Sequence, residues 1–286
     1  MTFPEADLQV CLFRSEAKLR TSKRAEFLDI VINPMTIHEL MKLLCDGIRA
    51  DQKWLVAHHN LHSLYLFHAN PELRHYYQRS QFTLADGMSL VLLARMYGNK
   101  LFRSERVCYM DWWSDMMGVA VREKWRVFYL GSAPGVAKEG EQRLRQQFPG
   151  IDLQVRHGFF DVSPGSAENR EVLRSLAEYK PNLLMVGMGM PRQELWIDSN
   201  YSAIAANIIL PTGATLDYIA GALPTPPRWA GRLGMAWAFR LLSEPKRLAV
   251  RYLVEPWTVL ALIVLDALGI HKPRSPGSSR TQELIE

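Results

Sequence analysis

Short apolar runs alternate with amphipathic stretches along most of the chain. The short runs have the length of buried β-strands, whereas the amphipathic stretches repeat apolar residues at the spacing of one α-helix face. The runs that we interpret as strands are residues 27–32, 54–57, 82–85, 127–130, 153–155, 183–186 and 208–210. Strands that alternate with helices indicate an α/β fold with a parallel sheet and helices on both of its faces.

Capping residues mark the starts of helices between these strands. Thr36 and Glu39 match a capping box, which predicts a helix that continues to about Arg49. Asp111 is placed to cap a helix over residues 112–122. The remaining predicted helices are 61–69, one that begins at Pro71, 88–96, 136–147 and 169–179.

Four polar loops follow predicted strands. They are residues 58–60 (HHN), Asp86 with Gly87, residues 131–135 (GSAPG) and residues 187–194 (GMGMPRQE). In an open parallel sheet, ligands bind at the carboxyl ends of the strands. We therefore expect all four loops to open on one edge of the sheet and to form one site.

The loop at 187–194 interrupts an apolar strand with two glycines and restarts as a helix with a proline in its first turn. This arrangement makes Gln193 and Glu194 candidates to face a bound ligand. The alternative is an ordinary turn between a strand and a helix, and this stretch alone favours neither interpretation.

Asp86 is the strongest catalytic candidate among the loop residues. A carboxylate at a strand end, between Leu84 and Met88, is partly desolvated and thereby becomes a stronger general base. The alternative is that Asp86 only caps the following helix, which is a common position for aspartate. His58 and Asn60 are suited to orienting a sugar or a phosphate, although a lone histidine at a strand end is more often structural.

The loop at 131–135 lies between a strand and a helix start, where free backbone amides favour phosphate oxygens. Neither this loop nor residues 187–194 match the dinucleotide fingerprint, because Arg192 stands where a third glycine is needed. A nicotinamide enzyme and an ATPase are therefore unsupported, and Ser132 lacks the surroundings of a hydrolase nucleophile. No set of histidine and acidic residues has the spacing of a metal site, and no cofactor is predicted.

The composition indicates the size and environment of the fold. With 286 residues, of which 48% are hydrophobic, the chain fits one large α/β domain with an appendage. We expect a leader over 1–24, the core over 25–227, the appendage over 228–271 and a disordered tail over 272–286. The N-terminus lacks the plan of a signal peptide and no apolar run reaches about 20 residues, which predicts a cytoplasmic protein.

The net charge of +5 favours an anionic partner and leaves phosphate groups, nucleic acid and acidic lipid open. Basic residues are frequent after residue 227: Arg228, Arg232, Arg240, Lys246, Arg247 and Arg251. An apolar stripe at helical spacing accompanies them, and it comprises Trp229, Leu233, Trp237 and Leu241. Basic amphipathic helices with tryptophan suit an anionic membrane surface. The alternative is a pair of helices packed on the sheet, with its arginines in solvent.

Several separated motifs occur together in the order and spacing of one family. They are HxN at 58–60, ADGM at 85–88, the charged cluster at 103–106, GSxPG at 131–135, GFF at 158–160, GMGxPRQE at 187–194, GAxxDxxAG at 213–221 and EPxRxxxRY at 244–252. Over residues 25–255 the chain resembles the WecG/TagA/CpsF family of bacterial glycosyltransferases.

The resemblance implies a Rossmann-like domain with a C-terminal helical appendage that binds the membrane. It also implies inverting, metal-independent transfer of a sugar from a UDP-sugar to a polyprenyl-diphosphate-linked saccharide. Asp86 matches the family's proposed catalytic base, and His58 and Asn60 match the loop that lines the same pocket. The residues expected to bind the donor are Arg103, Arg106, Gly131, Ser132, Gly158, Phe160, Gly187, Gly189, Gln193, Glu194 and Asp217. Those expected to contact the membrane or a diphosphate are Arg228, Arg232, Arg240, Arg247 and Arg251.

The chain departs from the usual family pattern at three places. His58 stands where threonine is usual, residues 225–227 (TPP) replace an Arg-Ala-Pro element, and Ala236 stands where glutamate is usual. These differences affect which residues bind the acceptor and which sugar is transferred. A hexosyl group for exopolysaccharide assembly is favoured, with an N-acetylmannosamine-type sugar of wall or antigen assembly as the alternative.

Two function classes other than a transferase remain open at this point. One is a membrane-docked nucleotide-binding protein without turnover, and the other is a nicotinamide-linked oxidoreductase. The resemblance implies a membrane surface as partner and no nucleic acid, and it is compatible with a homo-oligomer.

Overall fold

The structure, a computed structural model, describes residues 23–225 and 236–270. Its first element is a hairpin of two short antiparallel strands, β1 (Ala25–Phe27) and β2 (Ile30–Ile32). The prediction of a single strand over 27–32 is wrong. Leu28 and Asp29 have positive φ angles of 48° and 60°, and two such residues in succession reverse the chain in a tight hairpin turn.

Six parallel strands form the central sheet of the described chain, which confirms the predicted fold class. They are β3 (Trp54–His59), β4 (Phe82–Ala85), β5 (Arg126–Gly131), β6 (Asp152–Arg156), β7 (Leu183–Gly187) and β8 (Ile208–Pro211). Their order across the sheet is β4-β3-β8-β7-β5-β6. β3 extends two residues beyond its predicted end, because His58 and His59 still pair with Leu84 and Ala85 of β4.

Helices cover both faces of this sheet. They are α1 (Ile37–Arg49), α2 (Leu61–Ala69), α3 (Pro71–Arg79), α4 (Met88–Met96), α5 (Tyr109–Arg122), α6 (Pro134–Gln147), α7 (Ala167–Tyr179), α8 (Arg192–Asn200) and α9 (Thr215–Ile219). The capping box of α1 is confirmed, since Thr36 and Glu39 exchange hydrogen bonds. The predicted cap at Asp111 is wrong, because α5 begins at Tyr109 and Asp111 instead pairs with Arg106 at 2.5 Å.

Successive residues of each central strand enter two different apolar cores. On β5, Val127 and Tyr129 pack in the core that contains α1, α5 and α6, whereas Phe128 and Leu130 pack with α2, α3, α7 and α8. A strand that is buried on both faces has a continuous apolar run rather than an alternating pattern. This double burial explains why the sequence pattern located these strands.

The described C-terminal part consists of α10 (Ala236–Ser243), α11 (Pro245–Ala249), a π-helical turn (Val250–Val254) and α12 (Glu255–Ala267). Pro245 separates two short helices, as predicted. α12 packs along α2, where Val259 is buried and Glu255 contacts His62 at 2.5 Å. Within the described ranges, every helix is too short or too polar to cross a bilayer. Residues 1–22 of the predicted leader, the predicted boundary at 227 and the predicted tail over 272–286 lie outside the described residues.

The carboxyl ends of the six parallel strands lie at one edge of the sheet. The loops singled out in the sequence leave the sheet at this edge: residues 58–60 after β3, Asp86 after β4, residues 131–135 after β5 and residues 187–194 after β7. The prediction that the four loops share one edge is therefore confirmed.

Candidate active site

Asp86 directly follows β4 and lies half-buried at the carboxyl edge of the sheet. Its backbone N–H donates to the carbonyl of His59 at 2.7 Å, which holds the end of β4 against the end of β3. The N-cap of α4 is Gly87, whose φ of 101° suits glycine, and no side chain caps this helix. Asp86 therefore does not serve as the helix cap that the sequence left open.

Ionisable side chains from several elements lie close enough to Asp86 for its charge to shift their pKa values. Among them are His58 at the end of β3, Tyr109 at the start of α5, and two arginines of the C-terminal helices, Arg240 and Arg251. We call these five residues the Asp86 cluster. Because its arginines come from the C-terminal part, the cluster is complete only when those helices are docked on the sheet.

Burial favours the neutral form of His58 within the Asp86 cluster. Burial lowers the pKa of its imidazole; the charge of Asp86 raises this pKa and that of Arg251 lowers it. The ring packs edge-on against Tyr109, with 5.5 Å between the centroids. Its Nδ1 atom is buried and has no hydrogen-bond partner among the described residues. A neutral imidazole of this kind orients a ligand by donating or accepting one hydrogen bond.

Arg240 and Arg251 bring positive charge to the cluster. Their guanidinium groups lie over the rings of Tyr218 and Tyr252, at 5.9 Å and 5.7 Å from the centroids. Burial lowers the pKa of Arg251, and the neighbouring charge of Arg240 lowers it further. The Nε atoms of both arginines are buried without a partner in the described part of the chain. Two close guanidinium groups suit the oxygens of a phosphate or diphosphate.

Glycines allow the ends of β5, β6 and β7 to approach one another closely. A Cβ atom on Gly131 would lie 2.3 Å from the carbonyl oxygen of Gly187, and one on Gly187 would lie 2.1 Å from the Tyr129 hydroxyl. Two backbone hydrogen bonds join the loops: Ser132 donates to Gly187 at 3.1 Å, and Gly158 donates to Ser132 at 2.9 Å. We call residues 131–132, 158, 187–189 and 213 the glycine turns.

Ser132 and Asp217 form a polar pair beside the glycine turns. The Ser132 hydroxyl donates to the Asp217 carboxylate at 3.1 Å. α6 starts two residues later at Pro134, and its N-cap Ala133 supplies no side-chain cap. The first amides of this helix therefore have no side-chain cap, and anion binding at this loop stays a prediction.

Gln193 and Glu194 lie in the first turn of α8 and are each 1% exposed. The Gln193 side-chain oxygen accepts the backbone N–H groups of Gly189 and Gly213, at 3.1 Å and 3.2 Å. Its Nε2 donates to Glu194 at 2.7 Å. The Gln193 amide thus ties the turns after β7 and β8 together, so it forms part of the wall of the site. Burial raises the pKa of Glu194 to about 7.

Two other predicted site residues have structural partners. The Asn60 side chain caps α2, because its Oδ1 accepts the Ser63 N–H at 2.9 Å. Phe160 is buried and packs edge-on against Trp196, with 6.3 Å between the centroids. The substrate contacts expected of Asn60 and Phe160 stay predictions.

The predicted basic residues occupy different positions around the site. Arg103 is exposed on a short 3-10 turn, and Arg106, which pairs with Asp111, adjoins the end of β4 through a bridge at Ala85. Arg228, Arg232 and the side chain of Arg247 lie outside the described residues. In the described ranges, no three histidine, cysteine, aspartate or glutamate side chains come together as metal ligands do.

Sequence reasoning missed two residues that shape the site. Tyr109 lies within the Asp86 cluster. The signal for it in the sequence was its position at a helix start, shortly after the charged residues at 103–106. Arg192 holds the loop after β6, because it donates to the carbonyls of Gly158 and Phe160 at 3.1 Å and 2.7 Å. Its place in the GMGxPRQE motif was a signal, but sequence spacing does not show which loop an arginine reaches.

A carboxylate beside two half-buried arginines, at the carboxyl edge of a parallel sheet, is suited to transferring a group from or to a phosphorylated substrate. Comparison with known proteins agrees with this class. Residues 25–273 match the glycosyl transferase WecG/TagA/CpsF family. The chain therefore belongs to this family and is a glycosyltransferase, as the resemblance of its motifs implied.

Similar curated proteins are found in Staphylococcus aureus. In strains MW2 and NCTC 8325 / PS 47 they are named N-acetylglucosaminyldiphosphoundecaprenol N-acetyl-beta-D-mannosaminyltransferase. Each is 25% identical to this chain over 206 residues, which cover 68% of this chain and 78% of the relative.

Proposed function

We propose that this glycosyltransferase moves a hexosyl group from a UDP-sugar to a polyprenyl-diphosphate-linked saccharide, with inversion at the transferred carbon. The observation that carries the proposal is the Asp86 cluster, in which one carboxylate lies among a buried histidine and two half-buried arginines. The name of the relatives supports the acceptor class, since it specifies a diphosphoundecaprenol-linked sugar.

Asp86 acts as the general base in the proposed reaction. Its carboxylate accepts the proton of the acceptor hydroxyl while that oxygen attacks the anomeric carbon of the donor sugar. The bond from this carbon to the diphosphate oxygen breaks, and its electron pair leaves with UDP. One displacement inverts the anomeric centre. His58 is assigned an orienting contact and not the role of base, because burial lowers the pKa of its imidazole.

The departing UDP gains negative charge that the protein must offset. Arg240 and Arg251 are placed to do so from the C-terminal side, and the first amides of α6 from the other side. Such fixed donors and cations lower the barrier because they need no reorganisation when the charge develops. The proposal assigns this task to groups of the chain itself.

The glycine turns and the polar pair beside them form the nucleotide side of the proposed site. Bare backbone at Gly131 and Gly187 lets the turns pack closely against each other, which brings their backbone groups together on this side of the site. The Asp217 carboxylate accepts the hydrogen bond from Ser132, and the proposal assigns a ribose hydroxyl or a base N–H to this polar pair. Gln193 contributes indirectly, because its amide holds the two turns in place.

α12 supplies the membrane-facing surface in this proposal. Val259 on one face is buried, whereas Trp257, Leu260, Val264 and Leu268 on the opposite side are between 48% and 69% exposed. An apolar helix face beside basic residues suits the interface of an anionic bilayer, where the lipid-linked acceptor resides. The enzyme would thus be peripheral on the inner face of the cell membrane.

A transfer assay tests the proposal and identifies the donor. Purified full-length protein receives UDP-glucose, UDP-galactose, UDP-N-acetylglucosamine or UDP-N-acetylmannosamine, each with an undecaprenyl-diphosphate-linked sugar as acceptor. Glucose or galactose transfer supports a hexosyl group of the kind used in exopolysaccharide assembly. N-acetylmannosamine transfer assigns the activity in the relatives' name.

The transfer assay, combined with thermal unfolding in the presence of UDP or NAD, distinguishes the two other function classes. UDP that stabilises the fold without any sugar transfer favours a membrane-docked nucleotide-binding protein. Heat protection by NAD, with none by UDP, favours the nicotinamide-linked oxidoreductase. Either result would overturn the proposed function.

A further inference from the structure

Glu194 is a buried carboxyl group that the proposed reaction leaves without a task. One of its oxygens, Oε1, accepts the hydrogen bond from Gln193 at 2.7 Å. The other, Oε2, is buried and has no hydrogen-bond partner among the described residues. A buried carboxylate oxygen without a donor is costly in the ionised form, so the balance between the two protonation states is close.

Ionisable groups from three other elements face Glu194. They are Tyr76 and Tyr77 of α3, Tyr109 of α5 and Arg251 of the π-helical turn. Burial raises the pKa of each tyrosine, and the charge of Glu194 raises it further. The Tyr76 and Tyr109 hydroxyls are themselves buried without partners in the described part of the chain. The cation in this set is Arg251.

Arg251 connects Glu194 to the proposed diphosphate site. Burial has the largest effect on the pKa of Glu194 and raises it. The hydrogen bond from Gln193 lowers this pKa, and the charge of Arg251 lowers it further. The same guanidinium group interacts with Asp86. A diphosphate bound beside Arg251 places negative charge near Glu194, and a nearby like charge favours the neutral form of a carboxyl group.

We propose that Glu194 takes up a proton when a diphosphate binds beside Arg251, so that anion binding and protonation of this carboxyl group are coupled. The inference rests on the proposed function for the place of the diphosphate. Because coupling between two bound species is reciprocal, affinity for the diphosphate falls as the pH rises through about 7. Glu194 acts through Arg251, so it is a positioning residue.

Calorimetric titration of UDP into the full chain at pH 7.5 tests this coupling. Titrations in buffers with different enthalpies of ionisation give the number of protons taken up. The terminal phosphate of free UDP, with a pKa of about 6, is already ionised at this pH and contributes little. If bound diphosphate raises the pKa of Glu194 by about one pH unit, the wild-type protein takes up roughly half a proton for each UDP bound at pH 7.5. The affinity for UDP then weakens about fivefold between pH 6.5 and 8.5.

Two variants identify the group that takes up the proton. Glu194→Gln keeps the shape and the acceptor for Gln193, and it is expected to bind UDP without proton uptake. The matched control is Glu178→Gln, at an exposed position of α7, which is expected to take up protons as wild type does. Unchanged uptake in Glu194→Gln would overturn the proposal.

The wild-type titration decides the question even where Glu194→Gln fails to fold. Uptake measured against pH must peak between about 7 and 8, as expected for one group with a pKa of about 7. A peak below 6.5 would point to a histidine instead and would contradict the assignment. Binding of UDP and of farnesyl diphosphate, both without proton uptake, would overturn this inference and leave the proposed function intact.

A second series with farnesyl diphosphate identifies the source of the anion. Uptake with UDP alone assigns the coupled site to the donor, and uptake with the prenyl diphosphate alone assigns it to the acceptor. Failure of both compounds to bind would overturn the coupling together with the proposed function.

Discussion

The buried polar groups on the two sides of the carboxyl edge of the sheet differ in whether they have hydrogen-bond partners. Around the glycine turns, the side chains of Gln193 and Ser132 form hydrogen bonds with neighbouring groups of the protein. In the Asp86 cluster, four buried polar atoms lack partners among the described residues, namely Nδ1 of His58, the Tyr109 hydroxyl and Nε of Arg240 and Arg251. Buried polar groups are usually paired, so the unpaired atoms of the Asp86 cluster are candidates to contact a substrate, whereas the side chains of Gln193 and Ser132 hold the fold together.

The largest effect is expected within the Asp86 cluster. Replacing Asp86 by asparagine removes the general base but keeps the size of the side chain. We expect kcat to fall by about 10²–10⁴-fold while UDP affinity is kept. Initial rates and UDP titration measure the two quantities, with Asp46→Asn on α1 as the control. Near-normal turnover would contradict the role of Asp86.

Arg251→Ala tests whether the C-terminal side of the site binds the diphosphate. Loss of a charge-assisted contact of about 1.5–3 kcal/mol is expected to weaken UDP binding roughly tenfold to hundredfold. The control is Arg174→Ala, which removes an exposed arginine of α7. Equal UDP affinity in both variants would show that Arg251 does not contact the nucleotide.

Gly131→Ala tests the glycine turns, where the expected effect is on stability. The new Cβ atom would meet the Gly187 carbonyl at 2.3 Å, and relieving the clash is expected to cost about 1–3 kcal/mol of unfolding free energy. Gly135→Ala is the matched control, since its Cβ atom would have no neighbour within 4 Å. Chemical denaturation compares the two variants. A wild-type midpoint for Gly131→Ala would refute the tight packing of these turns.

The smallest effect is expected at the exposed face of α12. Changing Leu260 and Val264 together to glutamate places charge on the apolar surface, and binding to anionic vesicles is expected to fall by about tenfold. The control adds the same charge on α6, by Gln146→Glu with Gln147→Glu. Vesicle sedimentation measures both double variants. Equal recovery would exclude this face as the membrane contact.

Much of the fold could be predicted from the sequence, because the central strands are buried on both faces. Runs such as 127–130 are apolar throughout for that reason, and the loops after them could be placed at one edge of the sheet. The hairpin at Leu28 and Asp29 was missed, since neither residue is a glycine or an asparagine that announces a positive φ.

The candidate site was only partly predictable. Asp86 could be found locally, because a carboxylate after a buried strand is a distinctive feature. The position of Arg251 depends on how the C-terminal helices dock on the sheet, and no local pattern encodes that docking. Gln193 was expected to face a ligand, but its oxygen accepts the backbone N–H of Gly189, four residues away, and that of Gly213 in the loop after β8, which local sequence does not reveal.

The anomeric configuration of the product tests the central claim most directly. The claim is that Asp86 serves as a base in one displacement and forms no bond to the sugar. Nuclear magnetic resonance of the purified lipid-linked product gives the configuration of the new glycosidic bond. The account predicts a β linkage from an α-linked UDP-sugar, and an α linkage in the product would contradict it.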